Sequence, residues 1–317
     1  MRLVVMFAAL GLVLSASGAA RAEVRHLSIK RLDDTTIDVY VDAPSRDVLS
    51  PVLLSFQGSQ CVALGPEGRG ELPPIDLPGA VRVSLEKPGA TPADAGRKDA
   101  PCPAAYLQKN TIDARVMDAL TVVAWLRAQA PWWNHRLYVT GASEGATIAA
   151  IVGALSPETH GMVLLNGSIG RPFGDGWADA MAASAKTPEE AKTYRAEAAR
   201  TWDKARAAPT AETAFGDTNT LKWWASIIDL RPANLLLLSP APILVLQSEK
   251  DEMTPPVSAT MLIETFRAAG RTNLTVEMLL GLDHGLRDAA GVPRWDPTIA
   301  RMSRWLQDQE RQASAAR

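Results

Sequence analysis

Arg136-Leu137-Tyr138-Val139-Thr140 runs directly into Gly141-Ala142-Ser143-Glu144-Gly145, and that into Ala146-Thr147-Ile148-Ala149-Ala150-Ile151-Val152. The first run reads as a buried strand and the last as a helix. Between them stands G-x-S-x-G. In a strand–turn–helix setting this pattern makes a sharp turn that lifts a serine hydroxyl to the top of a sheet. A turn that tight strains the serine backbone and leaves no room for a Cβ at either glycine. It also sets the Ser143 hydroxyl at the head of a helix, whose N-terminal dipole favours developing negative charge. With ordinary Gly and Ser usage a bare G-x-S-x-G arises in roughly one unrelated chain of this length in ten. Partner residues elsewhere must therefore decide what the motif means.

Outward from that stretch, β segments are expected at 24–32, 36–41, 52–56 and 81–85, and again at 162–165, 243–246 and 274–280. Helical spacing is expected at 111–130, with Ile112, Val116, Leu120, Val123 and Ala124 on one face, and at 255–269 and 298–313. Continuous apolar strands alternating with helices predict an α/β fold, a mostly parallel central sheet covered by helices on both faces. Ligands of such sheets bind outside the carboxyl ends of the strands. Residues 170–235 break the alternation. Thr187-Pro188-Glu189-Glu190 reads as a helix start, and an Ala-rich helix should run from it through Trp202. A second helix should include Leu221, Trp223, Trp224, Ile227 and Ile228. The segment 170–235 is expected to be a helical cap insertion over the top edge of the sheet, dividing the core into 23–169 and 236–317. Trp177, Trp202, Trp223 and Trp224 would either line a substrate pocket or hold the insertion to the core.

Residues 1–22 read as a secretory signal peptide: Arg2, an apolar stretch over 3–14, and the A-x-A signature Ala20-Arg21-Ala22, with the mature chain starting near Glu23. A membrane anchor is the alternative, although the apolar stretch is short for a span. An exported chain, periplasmic or secreted, is expected, with no membrane association after cleavage. The charge is balanced, with 33 Lys+Arg against 35 Asp+Glu, which points to neither a nucleic acid nor an anionic membrane as partner. Cys61 and Cys102 lie in loops at one end of the sheet, and in an exported chain they are expected to pair. Metal binding is not expected, because neither has a second Cys or His at ligand spacing.

A serine nucleophile needs a general base. Of the four histidines, His26 stands in an early strand, and His135 and His160 each precede a strand, which places them at the amino end of the sheet. His284 alone follows one, in Gly281-Leu282-Asp283-His284-Gly285, and so reaches the end where Ser143 is displayed. A lone histidine is more often structural than catalytic; the position after the last strand, with no competitor, makes this one the candidate base. The acid that orients it should come from Gln247-Ser248-Glu249-Lys250-Asp251-Glu252-Met253-Thr254-Pro255. Asp251 is the first choice, with Glu249 and Glu252 as alternatives. Asp283 is placed low, because sequence neighbours on a loop seldom face each other. An oxyanion needs two preorganised N–H donors. One is expected to be the backbone of Glu144. The other should come from Gln57-Gly58-Ser59-Gln60, with Ser59 the first choice and Gln60 the second, and with Gly58 allowing a tight turn. A Cys61–Cys102 bridge would then hold the oxyanion loop in place.

These residues resemble the α/β-hydrolase superfamily over nearly the whole chain beyond residue 22. Gly141 to Gly145 is similar to its nucleophile elbow, and Gln57-Gly58-Ser59 to its His-Gly-x oxyanion segment, with glutamine in place of histidine. Glu86-Lys87-Pro88-Gly89 resembles the charged turn after strand four in its esterase and acyl-peptidase branches. Asp251 with Pro255 resembles the D-x-x-x-P acid turn, with Ser248 where a glycine is usual, and Asp283-His284-Gly285 resembles the histidine loop. The glutamate after the serine is similar to that of secreted esterases and of dienelactone-hydrolase-like or peptidase-like members. The resemblance implies the α/β-hydrolase fold and a serine hydrolase, foremost a carboxylic-ester hydrolase, that forms an acyl-enzyme on Ser143 from a small-molecule or peptide acyl substrate. No metal or organic cofactor is implied. A peptidase or amidase, or an acyltransferase, would use the same triad. A non-catalytic binding protein of the same fold is the alternative from another class.

Overall fold

The computed structural model describes residues 24–42, 48–70, 72–94, 101–214 and 219–315. The expected leader at 1–22 and mature start at Glu23 lie outside the described residues. The β segments of the sequence form β1 (Val24–Lys30), β2 (Thr36–Asp42), β3 (Ser50–Phe56), β4 (Val81–Leu85), β5 (Trp133–Ala142), β6 (Thr159–Leu165), β7 (Ile243–Ser248) and β8 (Leu274–Leu279). Around them run α1 (Ala104–Lys109), α2 (Ile112–Gln129), α3 (Glu144–Leu155), α4 (Phe173–Ala183), α5 (Pro188–Ala207), α6 (Leu221–Ile227), α7 (Ala233–Leu236), α8 (Val257–Ala268) and α9 (Trp295–Ala315). Local chemistry sets the helix starts. Thr111 caps α2 by accepting from Ala114 N at 3.2 Å, and Thr187 caps α5 by accepting from Glu190 N at 3.1 Å.

Among the described residues eight strands form one sheet in the order β1-β2-β4-β3-β5-β6-β7-β8. β2 pairs antiparallel with both its neighbours; every pairing from β4 to β8 is parallel. The mostly parallel sheet predicted above is therefore present. Neighbouring side chains on one strand enter opposite layers, as the two-residue strand period requires. Leu54, Val139, Leu164 and Val245 pack on one face with Ile148 and Val152 of α3 and Val123 of α2. Leu53, Tyr138, Val163 and Leu244 pack on the other with Met302, Trp305 and Leu306 of α9. Burying such side chains stabilises by roughly 1.5–3 kcal/mol each. Helices thus cover both faces, which is why the central strands read as unbroken apolar runs.

The chain turns from β3 to β4 on one side and then returns across the sheet to β5 on the other. That reversal leaves a crevice at the carboxyl ends of β3 and β5. Between β6 and β7, α4 packs on α5 and α5 on α6, while α6 rests on α2 and α7 on α3. Their aromatic rings stack together: Trp223 and Trp224 lie 4.7 Å apart, Trp202 and Trp224 4.8 Å, centre to centre. Trp202, Trp223 and Trp224 are buried in the layer that holds α2 and α3. Of the two roles open to these tryptophans, the packing matches the one that joins the segment to the core.

Candidate active site

Ser143 sits where β5 ends and α3 begins, with φ 55° and ψ −125°. Positive φ is costly for a residue with a side chain, and both flanking glycines serve this turn. A Cβ on Gly141 would stand 2.0 Å from Gly145 O, and one on Gly145 would stand 2.3 Å from Phe56 O at the end of β3. Helix, elbow and strand are in direct backbone contact, and only glycine fits.

His284 follows β8, and its Nε2 lies 3.2 Å from Ser143 Oγ. On its other side Nδ1 lies 2.9 and 3.0 Å from the two carboxylate oxygens of Asp251, which follows β7 and is buried. Three residues far apart in sequence are thus joined in one line. The Asp251 carboxylate is held rigidly. It accepts from the Met253 and Thr254 N–H groups at 2.9 and 2.7 Å and from Gln247 Nε2 at 3.1 Å, with Thr254 Oγ1 2.7 Å away. The other acids are turned elsewhere. Glu249 accepts from Gly281 N, Asp283 accepts from Arg287 N, and Glu252 is exposed. The remaining histidines have their own surroundings: His26 beside Asp38, His160 against Glu158 O, and His135 with its ring 5.1 Å from that of Trp133.

The loop after β3 faces Ser143 across the crevice. The chain bends at Ser59 and Gln60, directly after Gly58, and the bend does not demand a glycine there. Gly58 lacks a positive φ, and a Cβ there would meet Ala142 O and Ser143 Cβ only at 3.6 Å, an ordinary contact. The loop is instead shaped from outside. Cys61 is joined to Cys102 in a disulfide. Arg115 Nη2 donates to Gln57 O at 2.8 Å, Tyr106 Oη donates to Ser59 O at 2.8 Å, and Lys87 Nζ donates to Gln60 O. Glu86 accepts from Leu64 N at 2.9 and 3.0 Å and from Tyr40 Oη at 3.2 Å. Burial holds the Glu86 carboxyl above the usual carboxylate range, an effect that these hydrogen bonds and Lys87 only partly offset. Burial, with Glu144 nearby, raises the Tyr106 hydroxyl far above its ordinary value, so it remains a donor.

Asn166, directly after β6, takes φ 48° and bonds two site loops at once. Its Oδ1 accepts from Ser248 N at 2.7 Å, and its Nδ2 donates to His284 O at 3.0 Å. Sequence reasoning missed Asn166, Thr254, Tyr106 and Arg115, and saw Glu86 and Lys87 only as a turn. Ser143, His284, Ser59 and Gln60 open onto a cleft of about 710 Å³. Its lining includes Met253, Leu72 and Trp295 and, among the described residues, none of the four tryptophans considered above. Arg287 and Lys87 also line it, with no Asp or Glu among the described lining residues.

No family model and no curated protein sequence matches the chain. Solved structures do. The chain is similar to Est1E of Butyrivibrio proteoclasticus with bound ferulic acid, at 13% identity and TM-score 0.57 over 89% of this chain and 98% of that one. It is similar to a Klebsiella pneumoniae protein assigned as a dienelactone hydrolase, at 14% identity and TM-score 0.57 over 90% and 98%. It is also similar to the acylaminoacyl peptidase of Pyrococcus horikoshii, at 16% identity and TM-score 0.58 over 91% of this chain and 41% of that one. At these identities the likeness concerns architecture, and the chain has the α/β-hydrolase fold.

Proposed function

We propose that the protein is an exported serine hydrolase that cleaves a carboxylic ester through an acyl-enzyme on Ser143. The line Ser143 Oγ–His284 Nε2 at 3.2 Å and His284 Nδ1–Asp251 at 2.9 and 3.0 Å carries this reading. As Ser143 Oγ attacks the acyl carbonyl, His284 Nε2 takes its proton. Asp251 holds the Nδ1–H tautomer and stabilises the imidazolium that forms. The N–H groups of Glu144 and Ser59, or Gln60 in place of Ser59, receive the oxyanion. Collapse breaks the ester C–O bond, and His284 returns the proton to the leaving alcohol. Water then attacks the acyl-enzyme with His284 again as base, releasing the acid and restoring Ser143.

An ester is favoured over a peptide by the dienelactone-hydrolase neighbour, which this chain matches over 98% of that chain's length. Of the acylaminoacyl peptidase, this chain spans only 41%. Export is supported by the Cys61–Cys102 bridge, since structural disulfides persist in oxidising compartments. The test pairs a fluorophosphonate probe with aryl esters of short and long acyl chain and an aminoacyl anilide. Labelling and ester turnover are expected in the wild type and absent in a folded Ser143→Ala. Undiminished labelling of that variant would move the nucleophile elsewhere, and anilide turnover exceeding ester turnover would make the protein a peptidase.

A further inference from the structure

Beneath the elbow and the loop after β3 lies a group of polar side chains that the triad chemistry leaves unused. Arg115, on α2, has a side chain 5% exposed, and its ion-pair partner Glu144 one 2% exposed. Arg115 Nη1 donates to Glu144 Oε1, while Nη2 donates to Gln57 O at 2.8 Å. Glu144 directly follows Ser143, and Gln57 opens the loop that leads to Ser59. One planar guanidinium therefore spans both segments that would supply the oxyanion donors. A peptide unit is planar, so fixing the Gln57 carbonyl also fixes the Gly58 N–H and the path of the chain into Ser59. Tyr106 repeats the device one step on. Its hydroxyl holds Ser59 O and accepts from Asn110 Nδ2 at 3.0 Å.

Stability alone does not account for the ion pair. Glu144 Oε2 is buried and has no hydrogen-bond partner among the described residues. A buried ion pair with an unsatisfied oxygen is often equalled or exceeded in stability by apolar residues of similar volume. What distinguishes the pair is its placement, and the forked, permanently charged group that occupies it. We propose that Arg115 is a positioning residue of the oxyanion hole, setting through Glu144 and Gln57 the separation of its two N–H donors. The proposal rests on the hydrolase reading above.

Arg115→Lys keeps a charge facing Glu144 but lacks the fork that also reaches Gln57. Its kcat for an aryl ester is expected to fall roughly 30- to 100-fold with KM within about twofold, the scale of a donor misplaced by about 1 Å. Affinity for a trifluoromethyl ketone, whose adduct presents an oxyanion to both donors, should fall by the same factor as kcat/KM. The double variant Arg115→Leu/Glu144→Leu removes both charges. It should fold and melt near the wild-type temperature while kcat stays low. A folded Arg115→Lys protein with wild-type kcat, or with unchanged ketone affinity, overturns the proposal. So does a double variant that regains wild-type kcat, or one that does not fold, since the pair is then structural. If Arg115→Lys itself fails to fold, the double variant decides. A wild-type protein that takes no fluorophosphonate and hydrolyses no ester defeats the hydrolase reading before any variant is made.

Discussion

Gly145→Ala places a single methyl group where the structure has least room. Its carbon would lie 2.3 Å from Phe56 O and 2.7 Å from Gln57 O. Ordinary contact needs roughly 1 Å more. Neither oxygen can swing aside, because both are backbone. Phe56 is in register with Gly141 on the neighbouring strand, and Gln57 O is held by Arg115. Relief must come from moving α3 away from β3. Overpacking of this kind costs about 1–3 kcal/mol and sometimes more. For a chain of this size that lowers Tm by roughly 1.5–5 °C. The same movement separates the Glu144 N–H from the loop that carries Ser59, and about 1 Å of misplacement costs roughly 100-fold in turnover. Gly58→Ala is the control on the facing loop. Its Cβ would meet its neighbours at 3.6 Å without a positive φ, so Tm should stay within about 2 °C or rise slightly as the unfolded chain loses freedom. Calorimetry on both variants, with aryl-ester kcat measured on the folded fraction, makes the comparison. Gly145→Ala with wild-type Tm and kcat, or Gly58→Ala more damaging to stability than Gly145→Ala, would refute the reasoning.

Asp251→Asn should lower kcat roughly 10³- to 10⁴-fold by favouring the wrong imidazole tautomer, while Glu249→Gln and Glu252→Gln should retain most activity. The reverse ranking in steady-state kinetics would assign the acid elsewhere. The Cys61–Cys102 bridge closes a separation of 41 residues, for which chain entropy gives about 4 kcal/mol as an upper figure. Cys61→Ser should melt earlier. At a temperature where it is folded, its kcat should stay within about threefold of wild type, because Arg115, Tyr106 and Lys87 still hold the loop carbonyls. A much larger loss would make the bridge itself the preorganising element, as the sequence alone led us to expect. The Arg301 hydrogen bond holds the Glu277 carboxyl below its ordinary value of 4.5, which joins β8 to α9. A depressed folded pKa contributes stability above the unfolded value and loses it as pH falls through the folded one. The Tm gap between wild type and Arg301→Gln should therefore be full above pH 4.5 and close in stronger acid; a gap constant from neutral pH to pH 3 contradicts this.

The order of strands and helices, and the direction in which each candidate faces, follow from local pattern. Apolar runs of strand length, a helical period over 112–129, and caps at Thr111 and Thr187 are written in neighbouring residues, because backbone hydrogen bonding and side-chain period act over a few positions. The buried face of α2 nevertheless runs through Ala119, Val122 and Leu126 and leaves the expected Ala124 exposed. The same logic isolated His284, since the parallel topology sends only residues after strands to the end where Ser143 stands. Gly141 and Gly145 were legible for a related reason: the elbow needs them within one turn.

Tertiary structure alone decided how the site is held. It showed that Asp251, and neither Glu249 nor Glu252, reaches His284, though all three lie within four residues of one another. It also showed that Arg115 meets Glu144 and Gln57, which are 29 and 58 residues away. An arginine in a helix pattern reads as solvated, and a glutamate after a serine reads as a first-turn acid at a helix start. Neither carries a mark of burial. The four tryptophans were equally mute, because a large aromatic can line a cleft or fill a core with the same local sequence. Burial and pairing of polar groups depend on which surfaces the sheet brings together, and no period of two or 3.6 residues encodes a partner half a domain away.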